Sequence, residues 1–307
     1  MKDLLFSAVK ADTGKTTLTA AFSTLAGPHI MVDSDVDAAD LHLLLHPRVE
    51  KTEPFFGGNR ALIREADCTQ CGTCRQLCQF DAITDEFVID EVACEGCGVC
   101  VAFCPEKAID FPVQQCGEWY VSATDHCPMV HARLGIGEEN SGKLVSLIRA
   151  RARELAEQRC LPLILTDGPP GIGCPVIAAL TGASAVLVVC EPTVSGLHDL
   201  NRVSQLAAHF KMPVLICINK YDLNPTITNE IRRSAIERGE NLVGMIPFDP
   251  AFTRAMVQGQ TIFSYHAPEL QQTIRDIWRE IMQSDALSDT TPELSIPLYQ
   301  HNKGEHQ

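Results

Sequence analysis

Basic residues are scarce in this 307-residue chain. Lys and Arg number 25 against 39 Asp and Glu, which leaves a formal net charge of −14. Nucleic acids and anionic membrane surfaces are bound by basic faces, so this balance disfavours both as partners. The composition is 45% hydrophobic and 21% charged, which is typical of globular proteins with a core and not of disordered chains.

Long apolar runs are also missing. No stretch approaches the roughly 18 to 20 apolar residues that a membrane span requires. The apolar stretch at residues 4–9 is too short for a signal peptide, and Lys15 follows closely. We therefore expect a cytoplasmic protein without a membrane span, in a compartment where disulfides are rare.

Cysteine, in contrast, is abundant: the chain has 14, which in a reducing compartment indicates metal binding. Eight of them form two runs with the same C-x2-C-x2-C-x3-C spacing. The first run is Cys68, Cys71, Cys74 and Cys78, and the second is Cys94, Cys97, Cys100 and Cys104. This spacing is that of bacterial ferredoxins, in which the fourth cysteine of each run binds the cluster of the other run.

The runs therefore predict two [4Fe–4S] clusters with crossed ligands. Cluster 1 is expected to bind Cys68, Cys71, Cys74 and Cys104. Cluster 2 is expected to bind Cys94, Cys97, Cys100 and Cys78. Zinc is the alternative, because paired C-x2-C motifs also bind zinc, but two complete runs of identical spacing favour the clusters.

Residues 60–113 surround the two runs and read as a ferredoxin-like domain. This segment carries four basic and ten acidic residues, and such a charge would steer it towards a basic patch on a redox partner. The domain is inserted, because residues 1–59 and 114–283 together read as one discontinuous nucleotide-binding domain. A polar tail at residues 284–307 is expected to be flexible.

The rest of the chain alternates between short apolar strands and amphipathic helices. The predicted strands are residues 4–8, 30–32, 163–166, 185–190, 214–218 and 242–246. Leu144, Ile148 and Ala152 share one face of a helix that is expected to begin near residue 142, with Ser141 as its N-cap. This alternation predicts an α/β fold, with a parallel sheet covered by helices on both faces.

A phosphate-binding sequence follows the first strand. Its residues are Thr13, Gly14, Lys15, Thr16 and Thr17. Lys15 is expected to reach the β- and γ-phosphates, and the Thr16 hydroxyl to bind Mg²⁺. Backbone N–H groups at the start of the next helix would hold the phosphates.

Aspartates follow two of the other predicted strands. Asp33 and Asp35 come after the second strand, and Asp167 comes after the third. The carboxyl ends of parallel strands face the nucleotide crevice in such folds. Asp167 suits the outer coordination of Mg²⁺, and Asp35 suits positioning of the attacking water.

With these motifs the chain resembles the MinD-type P-loop ATPases, and among them the members that carry an inserted ferredoxin domain. The resemblance covers roughly residues 1–283. It implies that Lys10 is the signature lysine, which crosses a dimer interface to the partner's nucleotide. It also implies that Asp33 and Asp35 belong to the first switch, with Asp33 near Mg²⁺, and that residues 167–171 form the second.

The resemblance implies a P-loop NTPase that works as a dimer, either with itself or with a paralogous ATPase. ATP binding and hydrolysis would be coupled to electron transfer, or to delivery of a metal cluster, towards a redox or cluster-accepting partner. The loop departs from the family at Val9, Ala11 and Asp12, which predicts weak or partner-dependent hydrolysis. Two alternatives remain: an electron carrier with a degenerate nucleotide site, and a factor for cluster assembly.

The base of the nucleotide is ambiguous in the sequence. Asn219 and Asp222 belong to an N-K-x-D motif, in which the aspartate reads guanine in GTPases. In the MinD-type family the asparagine contacts adenine, and the segment that contains Pro247 flanks the base. The resemblance favours ATP and leaves GTP possible.

Cys174 lies seven residues after Asp167. Dinitrogenase reductase, a relative of this ATPase class, has a cluster ligand at the same offset, where the cluster bridges two subunits. Cys174 is thus a candidate ligand for a third cluster, with Cys127 as a possible second ligand. The alternative is that Cys174 is simply a small residue in a tight loop.

Overall fold

The computed structural model describes residues 1–8, 10, 13–135 and 140–287. The strands are β1 (Lys2–Ala8), β2 (His29–Asp33), β3 (Arg48–Asn59), β4 (Leu62–Ile63), β5 (Ile109–Asp110), β6 (Val113–Ala123), β7 (Pro128–Leu134), β8 (Leu163–Asp167), β9 (Ala185–Cys190), β10 (Val214–Asn219) and β11 (Asn241–Ile246). The helices are α1 (Lys15–Leu25), α2 (His42–Leu45), α3 (Thr73–Leu77), α4 (Val99–Ala102), α5 (Ser141–Gln158), α6 (Cys174–Leu180), α7 (Val194–His209), α8 (Pro225–Arg238), α9 (Pro250–Val257) and α10 (Pro268–Gln283). None of these helices is long and apolar enough to cross a membrane.

Nine strands form one sheet in the order β11-β10-β9-β1-β8-β2-β7-β6-β3. The seven strands from β11 to β7 are parallel to one another. β6 is antiparallel to β7, and β3 is antiparallel to β6. All residues of β2, β8 and β9 are buried, because helices cover both faces of the sheet. The predicted α/β class with a largely parallel sheet is confirmed, and every predicted strand is present.

Two apolar cores flank the sheet. On one face, α1 and α10 contribute Phe22 and Ile277. On the other face, α5 and α7 contribute Ile148 and Leu200. The helical periodicity of these segments places their apolar stripes against the strands, so the sheet is held from both sides.

Three strands of the nine-stranded sheet were missing from the sequence-based prediction: β3, β6 and β7. The first two form a long antiparallel pair at one edge of the sheet. Most residues of β3 are exposed or half-buried, so the strand lacks the apolar run that marks a buried strand. Pairing with β6, rather than burial of its side chains, keeps β3 extended.

Residues 60–112 lie beyond the last pair of this ladder, which joins Asn59 to Val113. Val113 therefore belongs to β6 and not to the cysteine-rich segment. The segment has its own small core, which includes Ala61, Ile83 and Ile109, and its own two-stranded sheet of β4 and β5. Hereafter we call residues 60–112 the cysteine-rich segment.

The expected tail begins too early at residue 284. Ser284 is buried, and Leu287 is fully buried in the core beside Ile281 of α10. A turn follows α10 here: the Leu287 N–H donates to the Ser284 carbonyl at 2.9 Å, and Leu287 joins the core of this face. The remainder of the predicted tail, residues 288–307, lies outside the described residues.

A buried ion pair ties the first strand to α5. Asp3 Oδ2 accepts a hydrogen bond from Arg149 Nη2 at 2.8 Å, and both side chains are less than a tenth exposed. Replacing Arg149 by Met should lower the free energy of unfolding by about 3 kcal/mol, because Asp3 stays buried with only the half-buried Arg153 beside it. Urea denaturation under anaerobic conditions measures this change.

The matched control is Arg151→Met on the same helix, where the ion pair with Glu154 is exposed. Exposed pairs contribute about 1 kcal/mol or less, so this variant should unfold close to wild type. Equal losses in the two variants would contradict a special role for the buried pair.

Candidate functional site

The turn between β1 and α1 requires glycine at position 14. Gly14 has a φ of +82°, in the left-handed region that glycine adopts most easily. A Cβ atom on this residue would also lie 2.7 Å from Nδ2 of Asn219. That amide nitrogen donates a hydrogen bond to the Thr13 carbonyl oxygen at 2.8 Å, so β10 fixes the turn directly.

Asp167, the last residue of β8, gathers the polar side chains of the α1 start. Lys15 Nζ lies 2.7 Å from Asp167 Oδ1, and both side chains are buried. The Thr16 hydroxyl donates to Asp167 Oδ2 at 2.8 Å, and the Thr19 hydroxyl donates to Oδ1 at 2.9 Å. The lysine and the threonine hydroxyl that sequence reasoning assigned to phosphate and Mg²⁺ are therefore side by side.

Asp33 and Asp35 lie close to this group at the end of β2. The Asp33 carboxylate is buried and accepts hydrogen bonds from the backbone N–H groups of Asp35 and Leu41. Burial, and then the charge of Asp167, raise the pKa of Asp33 well above its ordinary value. Burial raises the pKa of Asp35 to about 6, although Lys15 opposes the shift. Three carboxyl groups thus lie near a single lysine. A hard cation, which prefers oxygen ligands, fits among them.

An open cleft runs over the start of α1. The predicted residues that line it are Lys10, Thr13, Gly14, Lys15, Thr16, Thr17, Asp35, Asn219 and Pro247. Sequence reasoning missed its apolar wall, which is made by Leu43, Leu44, Phe252 and Met256. Only the tertiary structure brings α2 and α9 together over α1, so the sequence carried no signal for this wall.

Asp222 is not among the described residues that line the cleft. Its Oδ1 atom instead accepts a hydrogen bond from the backbone N–H of Phe248 at 2.6 Å. Phe248 and its neighbour Pro247 do line the cleft, so Asp222 anchors the segment that flanks the expected base position.

Lys10 stands at the mouth of the cleft, where its Nζ donates to Ser195 Oγ at 2.7 Å. The expected partner-crossing lysine is thus bound to its own chain at the start of α7. Val9, Ala11 and Asp12, the positions where the loop departs from the family, lie outside the described residues.

Two cavities occupy the cysteine-rich segment. The first is lined by Cys68, Cys71, Cys74 and Cys104. The second is lined by Cys78, Cys94, Cys97 and Cys100. These are the two crossed sets expected from the spacing. Gly72 and Gly98, at matching places in the two runs, have left-handed backbones that start α3 and α4 beside the cavities.

In the described part of the chain, no three His, Cys, Asp or Glu side chains are close enough together to hold a single metal ion. All fourteen cysteines lie in that part, and none of them forms a disulfide there. Apolar residues such as Ile63 and Phe87 complete the first cavity, and Ile89 and Phe111 help to complete the second.

Cys174 and Cys127 do not come together. Cys174 is exposed at the start of α6, beyond the carboxyl end of β8. Cys127 is buried before the first residue of β7, which is parallel to β2 and so begins at the opposite edge of the sheet. Cys127 is therefore not available as a second ligand beside Cys174 in the same chain.

The expected N-cap of α5 is wrong by one residue. Ser141 is already helical, and the N-cap is Asn140, with a φ of +77°. Within the described residues, the Asn140 side chain makes no capping hydrogen bond. The Asn140 side chain is therefore available for contacts outside α5.

Known proteins are similar to this chain in sequence and in fold. Residues 4–262 match the family described as the CobQ/CobB/MinD/ParA nucleotide binding domain. The protein MJ0578 of Methanocaldococcus jannaschii is 31% identical over 218 residues, which cover 70% of this chain and 76% of that protein. The protein MJ0579 of the same organism is 24% identical over 169 residues, which cover 55% of this chain and 56% of that protein.

Solved structures of nucleotide complexes are similar to the chain as a whole. MinD from Pyrococcus horikoshii, in complex with Mg-ADP, has a TM-score of 0.54 at 16% identity and covers 92% of this chain and 96% of its own. An McdA variant from Cyanothece, in complex with ATP, has a TM-score of 0.57 at 13% identity with the same coverage of both chains. At such low identities, the structural similarity supports the fold alone. The family match covers most of the sequence. This chain belongs to the CobQ/CobB/MinD/ParA family of nucleotide-binding domains.

Proposed function

We propose that this chain is a nucleotide-dependent iron–sulfur protein, in which ATP binding controls electron transfer through two [4Fe–4S] clusters. The observation that carries the proposal is the lining of the two cavities: each contains four cysteines, in the crossed pairing of a two-cluster ferredoxin. The nucleotide cleft lies in the same chain, so one molecule contains both a switch and candidate redox centres.

In the cleft, the residues around Asp167 would hold the triphosphate. Lys15 would leave Asp167 and bind the β- and γ-phosphates. Backbone N–H groups at the start of α1 would donate hydrogen bonds to the phosphate oxygens. Thr16 and Asp33 would hold Mg²⁺, with Asp167 in its outer sphere, and Asp35 would orient the attacking water. Mg²⁺, when bound, would offset the charge of the phosphates and of these carboxylates.

Adenine is the base that the site favours. A guanine reader would need a carboxylate facing the cleft, yet Asp222 is engaged with the backbone N–H of Phe248. Asn219 and Pro247, which the family resemblance assigns to adenine, both line the cleft. ATP is therefore the proposed nucleotide.

The cysteine-rich segment fits clusters that stay in place. Eight cysteines from one chain would provide four ligands to each cluster, so no coordination site is left for an acceptor protein. [4Fe–4S] clusters, when bound, supply one-electron redox chemistry. Electron transfer is thus favoured over cluster delivery, and the negative charge of the segment suits a basic redox partner.

Dimerisation would accompany the nucleotide cycle. Lys10 would release Ser195 and reach the nucleotide of the partner subunit, which is either a second copy or a paralogue. Two relatives of this chain occur together in Methanocaldococcus jannaschii, so paralogues of this kind share a cell there. Because Ala11 and Asp12 replace the usual glycines, we infer that hydrolysis is slow or depends on the partner.

The first test is the metal content. Anaerobically isolated protein should contain about eight irons per chain, and its reduced form should give the electron paramagnetic resonance signal of two [4Fe–4S] clusters. Cys97→Ser should remove one cluster and leave the other. The matched control is Cys160→Ser, an exposed cysteine outside both cavities, which should keep both.

About ten irons per chain would point to a third cluster, shared between subunits at Cys174. About two zinc ions per chain in place of iron would contradict the proposal. Transfer of iron to an apo-acceptor without loss of protein would favour cluster delivery instead.

The nucleotide site is tested at Gly14. Replacing Gly14 by Ala should weaken binding of a fluorescent ATP analogue by about tenfold or more, because the left-handed backbone costs about 1–2 kcal/mol and the new Cβ meets Asn219. The control is Gly27→Ala, whose Cβ meets nothing within 4 Å. Unchanged affinity in the Gly14 variant, with its fold intact by circular dichroism, would exclude this cleft as the site.

Base choice is tested by competition between MgATP and MgGTP for the fluorescent analogue. ATP should compete about tenfold better or more, since one unsatisfied polar group on a bound base costs about 1–3 kcal/mol. Asp222→Ala should weaken ATP binding by releasing the segment at Phe248. Tighter GTP binding that is lost in this variant would identify Asp222 as a guanine reader.

A further inference from the structure

The first turn of α5, residues 140–143, lies between two segments. One is the loop that runs from Asp167 to Cys174, which we call the nucleotide loop. The other is the end of β3, the strand that leads to the cysteine-rich segment. The sequence predicts a helix start here, with a switch or interface role as the alternative, but it does not predict these contacts.

The contact with the nucleotide loop is close. A Cβ atom on Gly142 would lie 3.4 Å from the Cβ, carbonyl carbon and carbonyl oxygen of Cys174. The loop between Asp167 and Cys174 is itself tied to β1, since Gly168 N–H donates to the Phe6 carbonyl at 2.8 Å. A shift of this loop would therefore press on the start of α5.

The contact with β3 is made by a lysine. Lys143 Nζ donates a hydrogen bond to the Gly57 carbonyl oxygen at 3.1 Å. Asn140 packs on the same stretch, because a Cβ atom on Gly57 or Gly58 would lie 3.3 or 3.2 Å from it. Two consecutive glycines thus let the α5 start approach the strand backbone.

The strand passes this contact to the second cavity. Asn59 Nδ2 donates to the Phe111 carbonyl at 2.8 Å. A Cβ atom on Gly96 would lie only 2.3 Å from the Asn59 carbonyl oxygen, so the two backbones touch. Gly96 and Phe111 both line the cavity that contains Cys97. The wall of the second cavity is thus in direct contact with the end of β3.

The stability of α5 itself does not explain why a lysine stands at position 143. A cation in the first turn of a helix opposes the helix dipole, and the first turn has no acidic residue to offset it. Its side chain instead points to a carbonyl on another element 86 positions away in the sequence. The lysine therefore serves the contact with β3 rather than the helix.

We propose that Lys143 is a positioning residue that couples the nucleotide loop to the second cysteine cavity. The inference rests on the proposed function. When the loop after Asp167 rearranges around bound nucleotide, the first turn of α5 moves with Cys174, and Lys143 carries that movement to Gly57. The backbone of Asn59 then shifts against Gly96, which changes the surroundings of the second cluster but not those of the first.

The test uses the full chain, purified anaerobically with its clusters. The rate of iron loss to a chelator is measured with and without MgATP, together with the electron paramagnetic resonance spectrum of the reduced protein. In wild type, MgATP should change the rate for one of the two clusters by about fivefold. In Lys143→Met this ratio should fall to about one, with iron content and MgATP affinity unchanged.

Two variants complete the experiment. Lys143→Arg should restore the ratio, because a guanidinium can donate to the Gly57 carbonyl. Lys51→Met, a lysine on β3 that pairs with Glu53 of the same strand, should behave as wild type. A wild-type ratio in Lys143→Met would overturn the inference. A ratio near one in wild type, with clusters and MgATP bound, would instead overturn the proposed nucleotide dependence.

Discussion

The buried carboxylate of Asp167 is the interaction on which the nucleotide-binding half depends. It ends β8, the fifth of the nine strands in the sheet, and holds Lys15, Thr16 and Thr19 at the start of α1. Asp33, on the neighbouring strand, adds a second buried carboxyl group whose pKa is raised by burial and by Asp167. This excess of negative charge around one lysine leaves the site short of a cation, so binding of Mg²⁺ with nucleotide would relieve it.

The antiparallel pair of β3 and β6 sets the distance between the cleft and the cysteine-rich segment. The cysteine-rich segment has a core of its own, so its cavities do not share walls with the cleft. Asn59, at the end of β3, contacts Gly96 and Phe111 of the cysteine-rich segment, and behind it the Asn140 and Lys143 side chains contact Gly57 and Gly58. The Asn59 and Gly96 backbones touch directly, and close packing of this kind transmits small displacements.

Much of the fold and of the site was predictable, for particular physical reasons. Parallel strands buried on both faces are continuous apolar runs, so β8 and β9 were evident. The turn at Gly14 and the helix start at Lys15 and Thr16 follow from a short motif whose geometry is local. β3 was not predictable, because its residues are mostly exposed and only its pairing with β6 makes it a strand.

The sequence by itself determined which cysteines belong together, because a spacing of two or three residues fixes what a chain can wrap around. It also determined the phosphate loop and the six parallel strands that were predicted from their apolar runs. Only the tertiary structure decided the roles that depend on distant partners. It turned Asp222 towards Phe248, separated Cys127 from Cys174, and joined Lys143 to Gly57. Contacts between elements far apart in the chain arise from packing of the whole sheet, and no local pattern encodes them.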